Sequence, residues 1–168
     1  MASGQVSIRS GAKLSVMRVP VDAVRALAQA SKPKVIIAGY TSYPWAPDWQ
    51  AFREIADEVG ATLLADIAHV AGLTAAGAFP SPVGIADVVM FTTHKTFNGP
   101  RGAVILTHDR TLGRKFDRMV FPGFQGGPHM DTIAGIAVAA KLAATEQFRT
   151  LQHQTVKNAV ALAEALDD

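Results

Sequence analysis

Four polar side chains stand where apolar runs break off: Asp66 and His69 in LLADIAHVAG, and His94 and Lys95 in FTTHKTFNGPRG. A buried carboxylate is costly unless a partner compensates it. Taken alone, Asp66 reads as a helix N-cap or an arginine's partner, and His69 as a structural histidine. Zinc needs three or four ligands, and Asp66, His69 and His94 lack the close helical pair of histidines that usually supplies them, so no metal is expected. Lys95 changes the reading. A lysine attacks carbonyls when burial and nearby positive charge hold its amine neutral. Pyridoxal phosphate is the cofactor that most often uses a lysine this way, and it needs an acid opposite its pyridinium nitrogen. Asp66 and Lys95 could meet opposite edges of one flat ring. Hydroxyls of Thr41 and Thr92, with His69 and His94, could orient the ring's phenolic oxygen and the lysine linkage. Gly126 and Gly127 offer bare backbone N–H groups of the kind that hold phosphate. Neither a Walker loop nor a GxGxxG fingerprint is present.

These residues need elements to carry them. Four short apolar runs, Val35 to Tyr40, Ala61 to Ile67, Asp87 to Phe91 and Ala103 to Thr107, read as strands. The first three are nearly continuous in apolar character, which predicts cover on both faces. The stretch PDWQAFREIADEVG predicts a helix, with Pro47 and Asp48 at its start, a stripe of Trp49, Phe52, Ile55, Ala56 and Val59, and Gly60 as its stop. An earlier helix is predicted from Val21 to Ala30, ending before Pro33. The alternation argues for an α/β sheet, much of it parallel, in which ligands collect at the strands' carboxyl ends. Thr41, Ser42 and Tyr43 follow the first strand, Asp66 and His69 the second, and Thr92 to Lys95 the third. Beyond the glycine loop PGFQGGP, helix is predicted from Asp131 onward. Ile133, Ile136, Ala137, Ala140 and Ala144 are spaced for a buried face, and Phe148 to Leu166 reads as a second long helix.

Composition narrows the partners. The chain has 168 residues, 49% of them hydrophobic and 18% charged, enough for one sizeable core and against disorder. It has no cysteine, so disulfides and thiolate metal sites are excluded and nothing marks an oxidising compartment; a cytoplasmic setting is expected. The formal net charge is only +2, and the cluster Arg110, Arg114, Lys115 and Arg118 reads as a solvated helix face, so neither nucleic acid nor a membrane is expected as partner. No apolar run approaches the ~20 residues a bilayer requires. The first nineteen residues carry Arg9, Lys13, Arg18 and several serines without an acid, as organelle leaders do. They lack an amphipathic period and read as loop and strand.

The segments ADIAHVAGL, TTHKTFNGPRG and FPGFQGGPHM, in that order and spacing, resemble the signature segments of serine hydroxymethyltransferase. The likeness continues through KPKVIIAG upstream and QTVKNAVALAEAL downstream, and covers the chain from about Lys13. That family belongs to the aspartate-aminotransferase-like (fold type I) pyridoxal-phosphate enzymes. The resemblance implies a three-layer, mostly parallel α/β sheet, incomplete in this chain. Residues 1–145 would be the central part of the large cofactor-binding domain. Residues 146–168 would be a long helix leading toward a C-terminal small domain that the chain lacks, as it lacks the family's first third. The resemblance further implies that Lys95 forms the internal aldimine and Asp66 pairs with the pyridinium nitrogen. His69 would contact the phenolic-oxygen region and join the proton network near the substrate carboxylate. Thr41 stands where the family usually has a serine facing the cofactor's hydroxyl. Thr92 and His94 would flank the imine, Arg101 would brace the loop after Lys95, and Gly126 and Gly127 would reach the phosphate across a dimer interface.

The activity so implied is the pyridoxal-phosphate-dependent interconversion of serine and glycine, with tetrahydrofolate accepting the one-carbon unit. The partners would be an amino acid, a folate, and a second copy or a complementing chain. Two other readings stay open: a folate-independent aldolase of β-hydroxy amino acids, and a non-catalytic fragment that acts by assembly.

Overall fold

The computed structural model describes residues 4–7, 13–16, 20–43 and 45–167. Arg9 and Arg18, on which the leader reading rests, lie outside them. Strands β1 (Gly4–Ser7) and β2 (Lys13–Val16) pair antiparallel as a separate two-stranded sheet.

Helix α1 (Val21–Ser31) follows Pro20 and closes where Lys32 turns left-handed, φ 47°, and donates its N–H to the Ala28 carbonyl. Helix α2 (Trp49–Val59) starts on Asp48, whose carboxylate accepts from the Ala51 N–H at 3.0 Å. It stops at Gly60, φ 70°. Its Trp49, Ile55 and Ala56 are buried, with Phe52 and Val59 packed beside them.

The main sheet runs in the order β3 (Val35–Gly39), β4 (Thr62–Asp66), β5 (Val88–Thr92), β6 (Ala103–Leu106). The first three strands are parallel, in a register that sets Gly39 beside Asp66 and Asp66 beside Met90. Strand β6 returns antiparallel to β5, with Thr92 opposite Ala103. Only residues 93–102 join those two strands, too few for a parallel crossover. The sheet is thus mixed and mostly parallel, with flanking helices. Leu63, Ala65, Val89 and Phe91 form its core together with Trp49 and Ala56 of α2. One ion pair bolts α2 to the sheet. Asp87 Oδ2 accepts from Arg53 Nη1 at 2.8 Å and from the Leu63 N–H at 2.7 Å. Partial burial works against that carboxylate, yet the two hydrogen bonds and the guanidinium charge hold it below the usual range.

Two expectations about burial need correction. Strand β3 is not covered on both faces: Val35 and Ile37 are 49% and 67% exposed, while Ile36 and Ala38 pack inward. As the sheet's edge strand it receives α2 on one side only. After α3 (Ala71–Ala75), the capped α4 (Arg110–Arg118), which has no buried residue, and a kinked turn (Met119–Phe124) comes α5 (Met130–Ala143). Of the expected face Ile133, Ile136, Ala137, Ala140 and Ala144, only Ile136 packs. Ala139 is the buried residue, flanked by Gly135, Ile136 and Ala143, whereas Ile133, Ala137, Ala140 and Ala144 are exposed. The helix is apolar on every side, so period alone does not choose a face. It turns its small residues inward because they admit a close neighbour: Cβ atoms built on Gly135 and Gly99 would come within 3.1 Å of Pro100 and Ala139. The last helix, α6 (Glu146–Asp167), directs its first turns at the same loop, with Phe148 and Gln152 buried. No helix among the described residues is long and apolar enough to cross a membrane.

Candidate active site

The parallel register brings the carboxyl ends of β3, β4 and β5 side by side, and the predicted chemistry gathers there. Gly39 and Asp66 are in direct backbone contact. A Cβ on Gly39, whose φ is 150°, would lie 2.2 Å from the Asp66 carbonyl oxygen, so only glycine fits. Asp66 Oδ1 accepts from the Ala68 N–H at 2.9 Å, a local Asx turn that fixes the carboxylate's orientation. Among the described residues its other oxygen has no partner. Beyond the strand the ladder continues by one rung, Ile67 N–H to the Met90 carbonyl at 2.9 Å.

The lysine loop is closed by the residue two positions before Lys95. Thr93 is fully buried. Its N–H donates to the Gly102 carbonyl at 3.0 Å, its hydroxyl to the Pro100 carbonyl at 2.6 Å, and its own carbonyl accepts from Gly99 at 2.7 Å. Asn98, in the left-handed region at φ 62°, turns its N–H back to the Lys95 carbonyl at 2.9 Å. Lys95 itself is half-buried.

Thr96 joins this loop to the Asp66–His69 segment. Its hydroxyl donates to the His69 carbonyl at 2.8 Å and accepts from the Gly72 N–H at 3.0 Å. Gly72 permits the contact, since a Cβ there would fall 2.0 Å from the Thr96 carbonyl oxygen. Phe97 then anchors the loop below, against Phe91 at 5.1 Å and Phe148 at 6.5 Å between ring centroids. On either side of Thr93, two polar atoms are buried without a hydrogen-bond partner: Thr92 Oγ1 and His94 Nδ1. Buried polar atoms are rarely left so, and each calls for an explanation. Both stand in the same stretch as the half-buried Lys95, beside the strand that ends in Asp66.

The family model for serine hydroxymethyltransferase matches residues 9–168. The chain belongs to the serine hydroxymethyltransferase family. Members of that family are fold-type I pyridoxal-phosphate enzymes. A serine hydroxymethyltransferase of Sorangium cellulosum is 58% identical over 161 residues, which are 96% of this chain and 38% of that protein. One from Psychrobacter cryohalolentis is 55% identical over 150 residues, 89% of this chain and 36% of the relative. One from a Synechococcus strain is 56% identical over 149 residues, 89% and 34% respectively. The chain therefore spans little more than a third of the length of these relatives.

Against this serine hydroxymethyltransferase background, the expected site residues fall into two groups. Asp66, His69, Thr92, His94 and Lys95 stand together at the ends of β4 and β5. Thr41 follows β3 and is exposed. It sits beside an aromatic corner in which Tyr40 donates its hydroxyl to the Trp45 carbonyl at 3.0 Å and Tyr43 lies edge-on between the Tyr40 and Trp45 rings. Burial, helped by the neighbouring Tyr43, pushes the Tyr40 phenol up to about 12. Arg101 is exposed and makes no side-chain hydrogen bond or ion pair among the described residues, while Thr93 carries the contacts that close its loop. Gly126 and Gly127 lie exposed between the kinked Met119–Phe124 turn and α5, and no hydrogen bond among the described residues links them to the strand ends. Among the described residues no group of three or more His, Cys, Asp or Glu is placed to hold a metal.

Sequence reasoning passed over Thr93, Thr96, Gly72 and Gln152. The two threonines lie inside the quoted lysine motif, and a small hydroxyl residue flanking a loop lysine was the available signal. Gly72 and Gln152 gave none, because their contacts cross 24 and 56 residues of chain.

Proposed function

We propose that the strand ends of β3, β4 and β5 bind pyridoxal phosphate, and that this chain contributes that site to a serine–glycine hydroxymethyltransferase with tetrahydrofolate as acceptor. The observation that carries the reading is the pair of partnerless buried atoms, Thr92 Oγ1 and His94 Nδ1, in the stretch that leads to the half-buried Lys95 beside the strand ending in Asp66. Lys95 Nζ is the group that holds the cofactor covalently through its aldehyde carbon. The unengaged Asp66 oxygen would accept a hydrogen bond from the ring nitrogen and so keep it protonated, and Ala68 keeps the carboxylate aimed by occupying Oδ1. When bound, the cofactor supplies an electron sink for the substrate's α-carbon. Thr92 and His94 serve as its polar neighbours beside Lys95. His69 and Thr41 serve the phenolic-oxygen side, and Thr93 steadies the loop mouth.

Assembly belongs to the same proposal. The exposed Gly126–Gly127 turn is flanked by Phe121, Phe124 and Met130, which are 58%, 82% and 66% exposed. Apolar surface of this kind marks contact sites. A second copy or a complementing chain would use it, and the glycine N–H groups would then serve the partner's phosphate. Residues 1–145 accordingly belong to a large cofactor domain, 146–168 to a helix leading out of it, and we place the protein in the cytoplasm.

The test is a titration of the chain with pyridoxal phosphate, followed by the cofactor's visible absorbance. Wild type is expected to develop a saturable band that Lys95→Ala lacks. The same band in Lys95→Ala would overturn the assignment. Serine cleavage that does not depend on tetrahydrofolate would move the activity to the aldolase class. A bound cofactor without turnover would support the assembly role.

A further inference from the structure

Four segments converge on one residue that no chemistry has yet claimed. Thr96 touches the loop after β4 through the His69 carbonyl, α3 through Gly72, and Lys95 through the peptide bond. Its fourth contact comes from α6: Gln152 Nε2 donates to the Thr96 carbonyl at 2.9 Å across 56 residues. Gln152 is only 2% exposed, yet its Oε1 has no partner. A leucine would fill the same space without stranding a polar atom. The amide is therefore kept for its one donated bond, to the residue that follows Lys95.

The geometry points to Gln152 as a positioning residue of the Lys95 site. Through Thr96 it locks the lysine loop to the Asp66–His69 segment, so that the orientation of α6 is felt where Lys95 leaves the sheet. The bland alternative is that Gln152 merely seats α6 on the core. Phe148 already does that by packing on Phe97, one turn earlier. Past Gln152 the helix is exposed as far as Leu166, so the clasp is the last point at which α6 touches the site. The part of this inference that concerns cofactor rests on the proposal above; the part that concerns the loops does not.

The experiment uses the whole chain with Gln152→Met, which keeps length and bulk and removes the donor. Backbone hydrogen exchange is read at Gly72, bonded to Thr96 Oγ1, and at Asn98, bonded to the Lys95 carbonyl. Leu63, bonded to Asp87 in the sheet, is the reference. Exchange at Gly72 and Asn98 should rise about fivefold, as expected for loss of one buried hydrogen bond, with Leu63 unchanged. No rise, or an equal rise at Leu63, overturns the proposal: the amide then holds nothing in particular or serves the whole fold alike. Gln152→Glu is the second variant. Protonated, it restores a donor of the same length, so protection relative to wild type should return at acid pH and be lost on ionisation. Failure to return overturns the proposal as well. In the same samples, borohydride reduction measures how much pyridoxal phosphate Lys95 captures, expected to fall about fivefold in Gln152→Met. If wild type takes no label on Lys95, the cofactor assignment fails, and the exchange data alone decide the positioning role.

Discussion

Replacing Gly72 with alanine should injure this protein out of proportion to the one methyl it adds. The new Cβ would lie 2.0 Å from the Thr96 carbonyl oxygen and 2.4 Å from its carbon, both backbone atoms that no rotamer can move aside. Restoring an ordinary contact of about 3.5 Å requires α3 and the lysine loop to part by roughly 1.5 Å. That shift breaks the 3.0 Å bond from the Gly72 N–H to Thr96 Oγ1. Overpacking costs about 1–3 kcal/mol and the lost hydrogen bond about 1 kcal/mol more. Alanine's helix propensity returns at most about 1 kcal/mol, less in so short a helix. The net expectation is a loss of about 1–4 kcal/mol. Urea unfolding monitored by tryptophan fluorescence measures it, with Gly113→Ala as control. Gly113 lies inside α4, and a Cβ there meets Thr107 at an ordinary 3.6 Å, so the same change should stabilise by up to about 1 kcal/mol. If Gly72→Ala proves as stable as wild type, the tight junction between α3 and the lysine loop is wrong.

Other consequences follow from single contacts. Thr93→Val keeps the shape of a fully buried side chain but strands the Pro100 carbonyl, and should cost about 1–3 kcal/mol in urea unfolding. Asp87 is held below the usual carboxylate range in the folded chain, so its contribution is complete above about pH 4 and is lost as pH falls through the lowered folded value. Asp87→Asn should therefore lose about 1 kcal/mol near neutrality, a figure kept small because the side chain is 36% exposed, and the gap to wild type should close in acid. Tyr40 is raised to about 12. Its neutral phenol adds stability below about pH 10 that fades toward pH 12, and the late step in an ultraviolet pH titration should vanish in Tyr40→Phe.

Strands β3 to β6 and the helices α1, α2 and α6 were legible because their signals are local: apolar runs bounded by turn residues, an Asp48 cap, a Gly60 stop. The site's skeleton was legible for the same reason, since Asp66 and Lys95 each sit where an apolar run ends. What escaped was decided by distance in sequence or by uniform composition. The antiparallel return of β6 follows from a connection too short to cross over, which strand patterns alone do not weigh. The packed face of α5 is chosen by Pro100 and Gly99, since the helix offers apolar residues all round. Thr96, Gly72 and Gln152 acquire their roles only when three distant segments meet. Gly126 and Gly127 remain a loop in search of a neighbour, and a single chain supplies none.

The central claim is that the ends of β4 and β5 form a pyridoxal-phosphate site whose covalent anchor is Lys95. The most direct measurement is borohydride reduction of the chain with the cofactor, followed by peptide mass spectrometry over all seven lysines. The account predicts label concentrated on Lys95 and reduced when Asp66 is replaced by alanine. Label spread evenly over Lys32, Lys34, Lys115, Lys141 and Lys157, with no preference for Lys95, would contradict it.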